Sequence, residues 1–139
     1  MILQRAADRF KFYTLAVKMV TVAKERGLRL IMENPWTLPH YLKDNFPIAP
    51  AWIDNNRMLR GDYFVKPTAY WFVNCEPTHG FTLQNDKHKK IISECKGGKA
   101  AGICSEERSM ISPDYARNFL CDKVLGITQE INNKQLTLF

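Results

Sequence analysis

The sequence has no apolar stretch near the ~20 residues a membrane helix requires, no C-x-x-C pair, no internal repeat and no low-complexity tract. Its start, Met1-Ile2-Leu3-Gln4-Arg5, has neither the basic beginning nor the continuous apolar run of a secretion leader. These absences lead to the expectation of a soluble, cytoplasmic protein that does not enter a membrane. Zinc sites usually rest on at least one close cysteine pair, because two nearby thiolates preorganise the tetrahedron. Cys75, Cys95, Cys104 and Cys121 offer none, and His79 and His88 stand at spacings that match no zinc pattern. The four cysteines therefore read as reduced, mostly buried thiols, and no metal site is expected. Lys96-Gly97-Gly98-Lys99 lacks the G-x-x-x-x-G-K-[ST] pattern of a phosphate loop and reads as a basic loop, solvated or near DNA.

What is present is a basic chain of ordinary apolar content. Its 139 residues, 45% of them apolar, suffice for one domain with a core. The net charge of +6 and pI near 9.2 favour a polyanionic partner, DNA among them.

Residues 5 to 26 read as a helix, with Phe12, Leu15, Ala16, Met19, Val22 and Ala23 recurring at three- and four-residue steps. Gly27 stands where a C-cap glycine belongs. Leu28 to Met32 reads as a buried strand running into Glu33-Asn34-Pro35. Residues 36 to 62, with three prolines, read as an ordered loop, and Tyr63 to Cys75 as a strand interrupted or bounded at Pro67. Ser112, Pro113 and Asp114 open a second helix with an apolar face of Tyr115, Ala116, Phe119, Leu120 and Val124, ended by Gly126.

Helix, glycine, strand, then polar residues at the strand's end is the pattern of an α/β sheet, whose ligands bind outside the carboxyl ends of strands. Glu33 falls at such an end. Two structural readings compete with a functional one: Glu33 as a solvated strand end, and Asn34-Pro35 as a turn initiator. Lys66-Pro67-Thr68 also has a plain reading, as a basic strand end beside an edge-marking proline. Trp36, Tyr41, Trp52, Tyr70 and Trp71 could stack on bases, although packing accounts for most such aromatics.

Leu30-Ile31-Met32-Glu33-Asn34-Pro35, then Leu38-Pro39, then Lys66-Pro67-Thr68-Ala69-Tyr70-Trp71, then Glu107-Arg108-Ser109-Met110-Ile111-Ser112-Pro113 with Tyr115-Ala116, occur in this order. Together they resemble a phage and bacterial branch of the cytosine-C5 DNA methyltransferases, over roughly residues 26 to 126. The resemblance implies an α/β fold, a partial Rossmann-like, methyltransferase-type sheet with flanking helices. It implies that Glu33 contacts the ring nitrogen and exocyclic amine of a flipped cytosine, supporting the ring as a nucleophile adds at C6. Asn34 would brace the turn, with Pro35 and Thr68 beside the substrate. Lys66 stands near where the wider family has a base-contacting arginine, with a point charge in place of the planar fork. Ser109 falls where the family closes over the methionine end of S-adenosylmethionine.

The same resemblance exposes what is missing. The family's glycine-containing cofactor turn and its Pro-Cys nucleophile do not occur, and the segment between the Lys66 strand and Arg108 is too short for a full target-recognition domain. S-adenosylmethionine is the cofactor of the complete family enzyme, and none is expected to bind tightly to this chain alone. Three explanations stay open: half of a split enzyme whose N-terminal half is a separate chain, a degenerate remnant that still folds and binds, or a truncated product without activity. Exposed sheet edges associate readily, so a homo-oligomer or a partner chain is expected. A non-enzymatic DNA-binding or clamp-interaction module is the alternative from another class.

Residues 1–126 read as the methyltransferase-like portion and 127–139 as a polar tail. Gln135-Leu136-Thr137-Leu138-Phe139 resembles the pentapeptide by which bacterial proteins dock on the replication sliding clamp, with Leu138 and Phe139 as apolar anchors and Gln135 as hydrogen-bonding group. The competing reading is a last strand, Leu136 and Leu138 packing on the core.

Overall fold

The computed structural model describes residues 1–36, 41–82 and 110–127. It combines helices with a small antiparallel sheet, and no described helix is long and apolar enough to cross a membrane. The chain divides into two compact units, Met1–Asn55 with Lys66–Pro77 and Asn56–Val65 with Thr78–Phe139.

In the first unit, helix α1 spans Ile2–Arg26. Gly27 ends it in a left-handed conformation (φ 64°), with Gly27 N–H bonded to the Lys24 carbonyl and Leu28 N–H to the Ala23 carbonyl. This paired closure satisfies carbonyls that the helix end would otherwise leave open. The sheet covers only part of the periodic apolar set, Ala16 and Ala23, together with Val20. Ala16, Val20 and Ala23 are buried with Tyr13 half-buried, whereas Phe12, Leu15, Met19 and Val22 are 44–54% exposed. Two alanines and a valine let the helix backbone approach the sheet more closely than the larger side chains would.

Strand β1 is Leu30–Pro35, displaced from the expected Leu28–Met32 because Leu28 is consumed in the helix closure. Glu33-Asn34-Pro35 thus lies within the strand. The expected loop over 36 to 62 contains regular structure: helix α2 (Tyr41–Asn45), strand β2 (Trp52–Asp54) and, in the second unit, a 3₁₀ turn at Arg57–Leu59. Strand β3 is Thr68–Val73, starting just after Pro67.

The sheet order is β1-β3-β2, and β3 is antiparallel to both neighbours. It follows that β1 and β2 run parallel, joined through α2, with β3 inserted between them. On one face Met32 lies opposite Trp71 and Leu30 opposite Val73. Ala16, Leu42, Ala69 and Trp71 form one apolar cluster, and Val20, Ala23 and Val73 a second. Trp71 is 1% exposed, meets Trp36 and Phe46 edge-on, and donates its Nε1–H to the Ile48 carbonyl at 2.7 Å. Burial of such a ring, with its polar edge satisfied, is worth about 3–5 kcal/mol against alanine. Asn74, with φ 54°, donates its side-chain amide to the carbonyls of Ala23 (2.8 Å) and Leu28 (2.9 Å), tying the end of β3 to the end of α1.

The second unit has a different interior. Asn56 caps the 3₁₀ turn by accepting from Met58 N–H. Arg57 and Asp62, each 1% exposed or less, form a buried ion pair, and the Arg57 guanidinium lies 4.4 Å from the Tyr115 ring centroid. Ser112 caps helix α3 (Pro113–Phe119), accepting from Tyr115 N–H and donating to the Gly61 carbonyl at 2.9 Å. The helix continues as a π segment, Leu120–Leu125, closed by Gly126.

The buried side of this helix is Tyr115, Asn118 and Asp122, while Leu120 and Val124, expected on an apolar face, are exposed. Asn118 donates to the Arg60 carbonyl, and the Asp122 carboxylate accepts from Arg60 at 3.1 Å and Thr82 at 2.5 Å. Asp122 and Lys123 carbonyls in the π segment also accept bonds from Thr78 and Gly80. The wider turn makes these carbonyls available to the crossing segment. A Cβ on Gly80 would stand 2.7 Å from the Ile127 carbonyl oxygen and 2.9 Å from Asp122 Cα, so only glycine fits there.

Candidate functional site

Alternation along a strand sends neighbouring side chains to opposite faces. On the sheet face away from the two apolar clusters, Glu33 of β1 is paired with Tyr70 of β3, and Tyr70 in turn with Trp52 of β2. A carboxylate and two aromatic rings therefore form one row across three strands. The Trp52 and Tyr70 rings stack at 5.1 Å with an interplanar angle of 22°. Glu33 is half-buried, while Tyr70 is 3% exposed.

The next row of the same face consists of Pro35, Thr68 and Asp54. Thr68 and Asp54 are both buried, and the Thr68 hydroxyl donates to the Lys66 carbonyl at 2.9 Å. Trp36 N–H bonds to the Pro67 carbonyl at 2.7 Å, extending the ladder one step beyond Pro35. Lys66, half-buried, is thereby held beside the carboxyl end of β1. Pro35 lacks an N–H, which the outer strand of the described sheet tolerates.

Asn34 belongs to the other face. It is 3% exposed, pairs with Ala69, and donates its amide to the Pro35 carbonyl at 3.3 Å. That contact stiffens the strand end beside Glu33 and puts no group of Asn34 on the Glu33 face.

The structure thus brings Glu33, Pro35, Lys66 and Thr68 to one end of a strand pair, from two segments distant in sequence. Ser109, Gln135, Leu136, Leu138 and Phe139 lie outside the described residues, as do His88, Cys95, Cys104 and the Lys96-Gly97-Gly98-Lys99 loop. Asp54 was not singled out by the sequence. Its signal is the Trp52-Ile53-Asp54 alternation, which is easily overlooked between prolines. Cys75 and Cys121 are free thiols, and no three potential metal ligands cluster among the described residues.

An adenosine cofactor in α/β proteins is usually held where a strand runs into a glycine-bearing turn at a helix start. None of the described strands ends this way. β1 leads into Trp36, β2 into Asn55-Asn56 and β3 into Asn74-Cys75. The described residues do not fit an S-adenosylmethionine cradle.

Comparison with protein-family models, with curated proteins and with solved structures finds no match.

Proposed function

We propose that this chain is the C-terminal half of a cytosine-C5 DNA methyltransferase-like fold, carrying the base-recognising carboxylate and depending on another chain for nucleophile and cofactor. The observation that carries the reading is the register of β1 on β3. It sets Glu33-Asn34-Pro35 directly against Thr68-Ala69-Tyr70, so the two motifs of the resemblance meet. The parallel pair β1 and β2, joined through a helix, supports a Rossmann-like parentage, since βαβ units are the building blocks of such sheets and carry added antiparallel strands in many of them.

In this reading the Glu33 carboxyl meets the Watson–Crick edge of an extruded cytosine and accepts from its exocyclic amine, where thymine would offer an oxygen. The Tyr70–Trp52 pair adds an apolar wall beside it. Lys66 supplies a positive charge for the nearby phosphodiester, a contact that weakens as salt rises.

The test is DNA binding by the chain alone, with duplexes bearing one bulged cytosine or one bulged thymine. Cytosine is expected to bind more tightly, by about 1–3 kcal/mol as for other base-edge contacts, and Glu33→Ala, which removes the acceptor for the exocyclic amine, is expected to remove the preference by weakening cytosine binding. Equal affinity for the two bulges overturns the reading. With labelled S-adenosylmethionine and cytosine-containing DNA, the chain alone is expected to transfer no label. Transfer would mean that one of its four cysteines serves as nucleophile.

A further inference from the structure

Two described helices end in a left-handed glycine, and they close differently. Gly27 (φ 64°) and Gly126 (φ 67°) have nearly the same conformation. At the end of α1 the Gly27 N–H bonds to the Lys24 carbonyl, and the Leu28 N–H to the Ala23 carbonyl. Those are the two acceptors that a glycine-closed α-helix uses. The corresponding positions before Gly126 are Lys123 and Asp122, and neither carbonyl serves the closure. The N–H groups of Gly126 and Ile127 both fall back on the Cys121 carbonyl, Ile127 at 2.8 Å, and the last turn is wound as the π segment.

Another part of the chain occupies the two carbonyls. Thr78 N–H bonds to the Lys123 carbonyl at 2.9 Å. The Asp122 carbonyl accepts from Gly80 N–H at 2.9 Å and from the Thr78 hydroxyl at 2.8 Å. A carbonyl oxygen has two lone pairs, so Asp122 has none left for Ile127. Residues 78–82 thus form a strap over the helix end, secured further along by the Thr82 hydroxyl on the Asp122 carboxylate at 2.5 Å. A Cβ on Gly80 would meet the carbonyl oxygens of Ile127 at 2.7 Å and Cys121 at 3.0 Å, so the strap lies directly against the shifted closure.

We infer that the strap and the helix end form a two-state device. With the strap docked, the last turn is π and closes on Cys121. With the strap released, the turn rewinds as α and closes on Lys123 and Asp122, as α1 closes on Lys24 and Ala23. Each of the two closing N–H groups has an acceptor in both states, so the helix end does not fray when the strap leaves. π winding is rare, and here it persists because the strap holds the acceptors that α closure needs. None of these groups belongs to the Glu33 face.

Amide exchange of the full chain reads the device directly. The N–H groups of Thr78 and Gly80 are expected to exchange together, about tenfold or more faster than those of Gly126 and Ile127. Gly80→Ala, whose methyl crowds the Ile127 and Cys121 carbonyls, is expected to shift the population to the released state. Scalar couplings across hydrogen bonds should then move, Gly126 N–H from Cys121 to Lys123 and Ile127 N–H from Cys121 to Asp122. Thr78→Val removes one strap bond at nearly constant shape and should speed exchange at Thr78 and Gly80 several-fold.

A single common exchange rate for all four amides shows that strap and helix end unravel together, and overturns the device. So does a released strap in Gly80→Ala with Gly126 and Ile127 still bonded to Cys121, since the π winding would then belong to the helix itself. Unchanged strap bonds and exchange rates in both variants show a strap that does not detach, and overturn it as well. Where Gly80→Ala does not fold, the exchange rates of the unaltered chain and of Thr78→Val decide.

Discussion

The two units of this chain are held by different physics. The sheet unit is organised by apolar contact: Trp71 sits among Trp36, Phe46, Ala16 and Leu42, and its single polar atom is satisfied by a backbone carbonyl. The unit built on α3 is organised by buried polar groups, with Arg57 on Asp62 and Tyr115, and Asp122 receiving Arg60 and Thr82. Hydrophobic burial is non-directional and tolerates small shifts. Buried charges are not tolerant, since each lost partner leaves a desolvated group behind. Both units leave apolar side chains exposed, Met19 and Val22 on the first and Leu120 and Leu125 on the second, so the contrast lies in the buried interiors and not in the surfaces.

The sharpest way to break the comparison is at Arg57. Arg57→Ala leaves Asp62 buried without its counter-charge and is expected to cost about 3–5 kcal/mol, read as a lower urea midpoint. Arg57→Met combined with Asp62→Leu should recover most of that loss, because removing both charges removes the desolvation cost. If the double variant is as unstable as the single one, the second unit is held by packing and the contrast fails.

A smaller effect is expected at the crossing of Thr78–Gly80 over the π segment. Gly80→Ala places a methyl against the Ile127 carbonyl and the Asp122 backbone, and should cost about 1–3 kcal/mol, as overpacking does elsewhere. An unchanged melting temperature would show that the segment gives way freely, which a rigid hydrogen-bonded network does not allow.

The smallest effect concerns the tail. If Gln135 to Phe139 is a detachable docking peptide, its deletion leaves the melting temperature nearly unchanged. A Lys134–Phe139 peptide should then bind a bacterial sliding clamp at micromolar strength, about −8 kcal/mol, and Phe139→Ala should abolish that binding. A large drop in stability on deletion would show that the tail packs on the chain's own core.

Local chemistry made part of the fold legible. Gly27 and Gly126 close helices, and Ser112-Pro113 opens one, because each effect depends on a few adjacent backbone groups. The candidate site was legible to a similar depth. Glu33, Lys66 and Thr68 stood out as residue types at strand ends, but their meeting across β1 and β3 was beyond any single segment. Asp54, buried on the same face, carried no motif at all.

By itself the amino-acid sequence determined the glycine-closed ends at Gly27 and Gly126, the helix opening at Ser112-Pro113, the basic charge and the absence of a Pro-Cys dipeptide. Tertiary structure decided which side of α1 is covered, since two apolar stripes compete and the side with Ala16 and Ala23 permits closer approach to the sheet. It also decided the polar seam of Tyr115, Asn118 and Asp122, whose partners Arg57, Arg60 and Thr82 come from distant segments. Apolar periodicity marks surfaces that can be buried. It cannot rank two such surfaces, nor foresee a buried charge that becomes favourable only when its partner arrives from elsewhere in the chain.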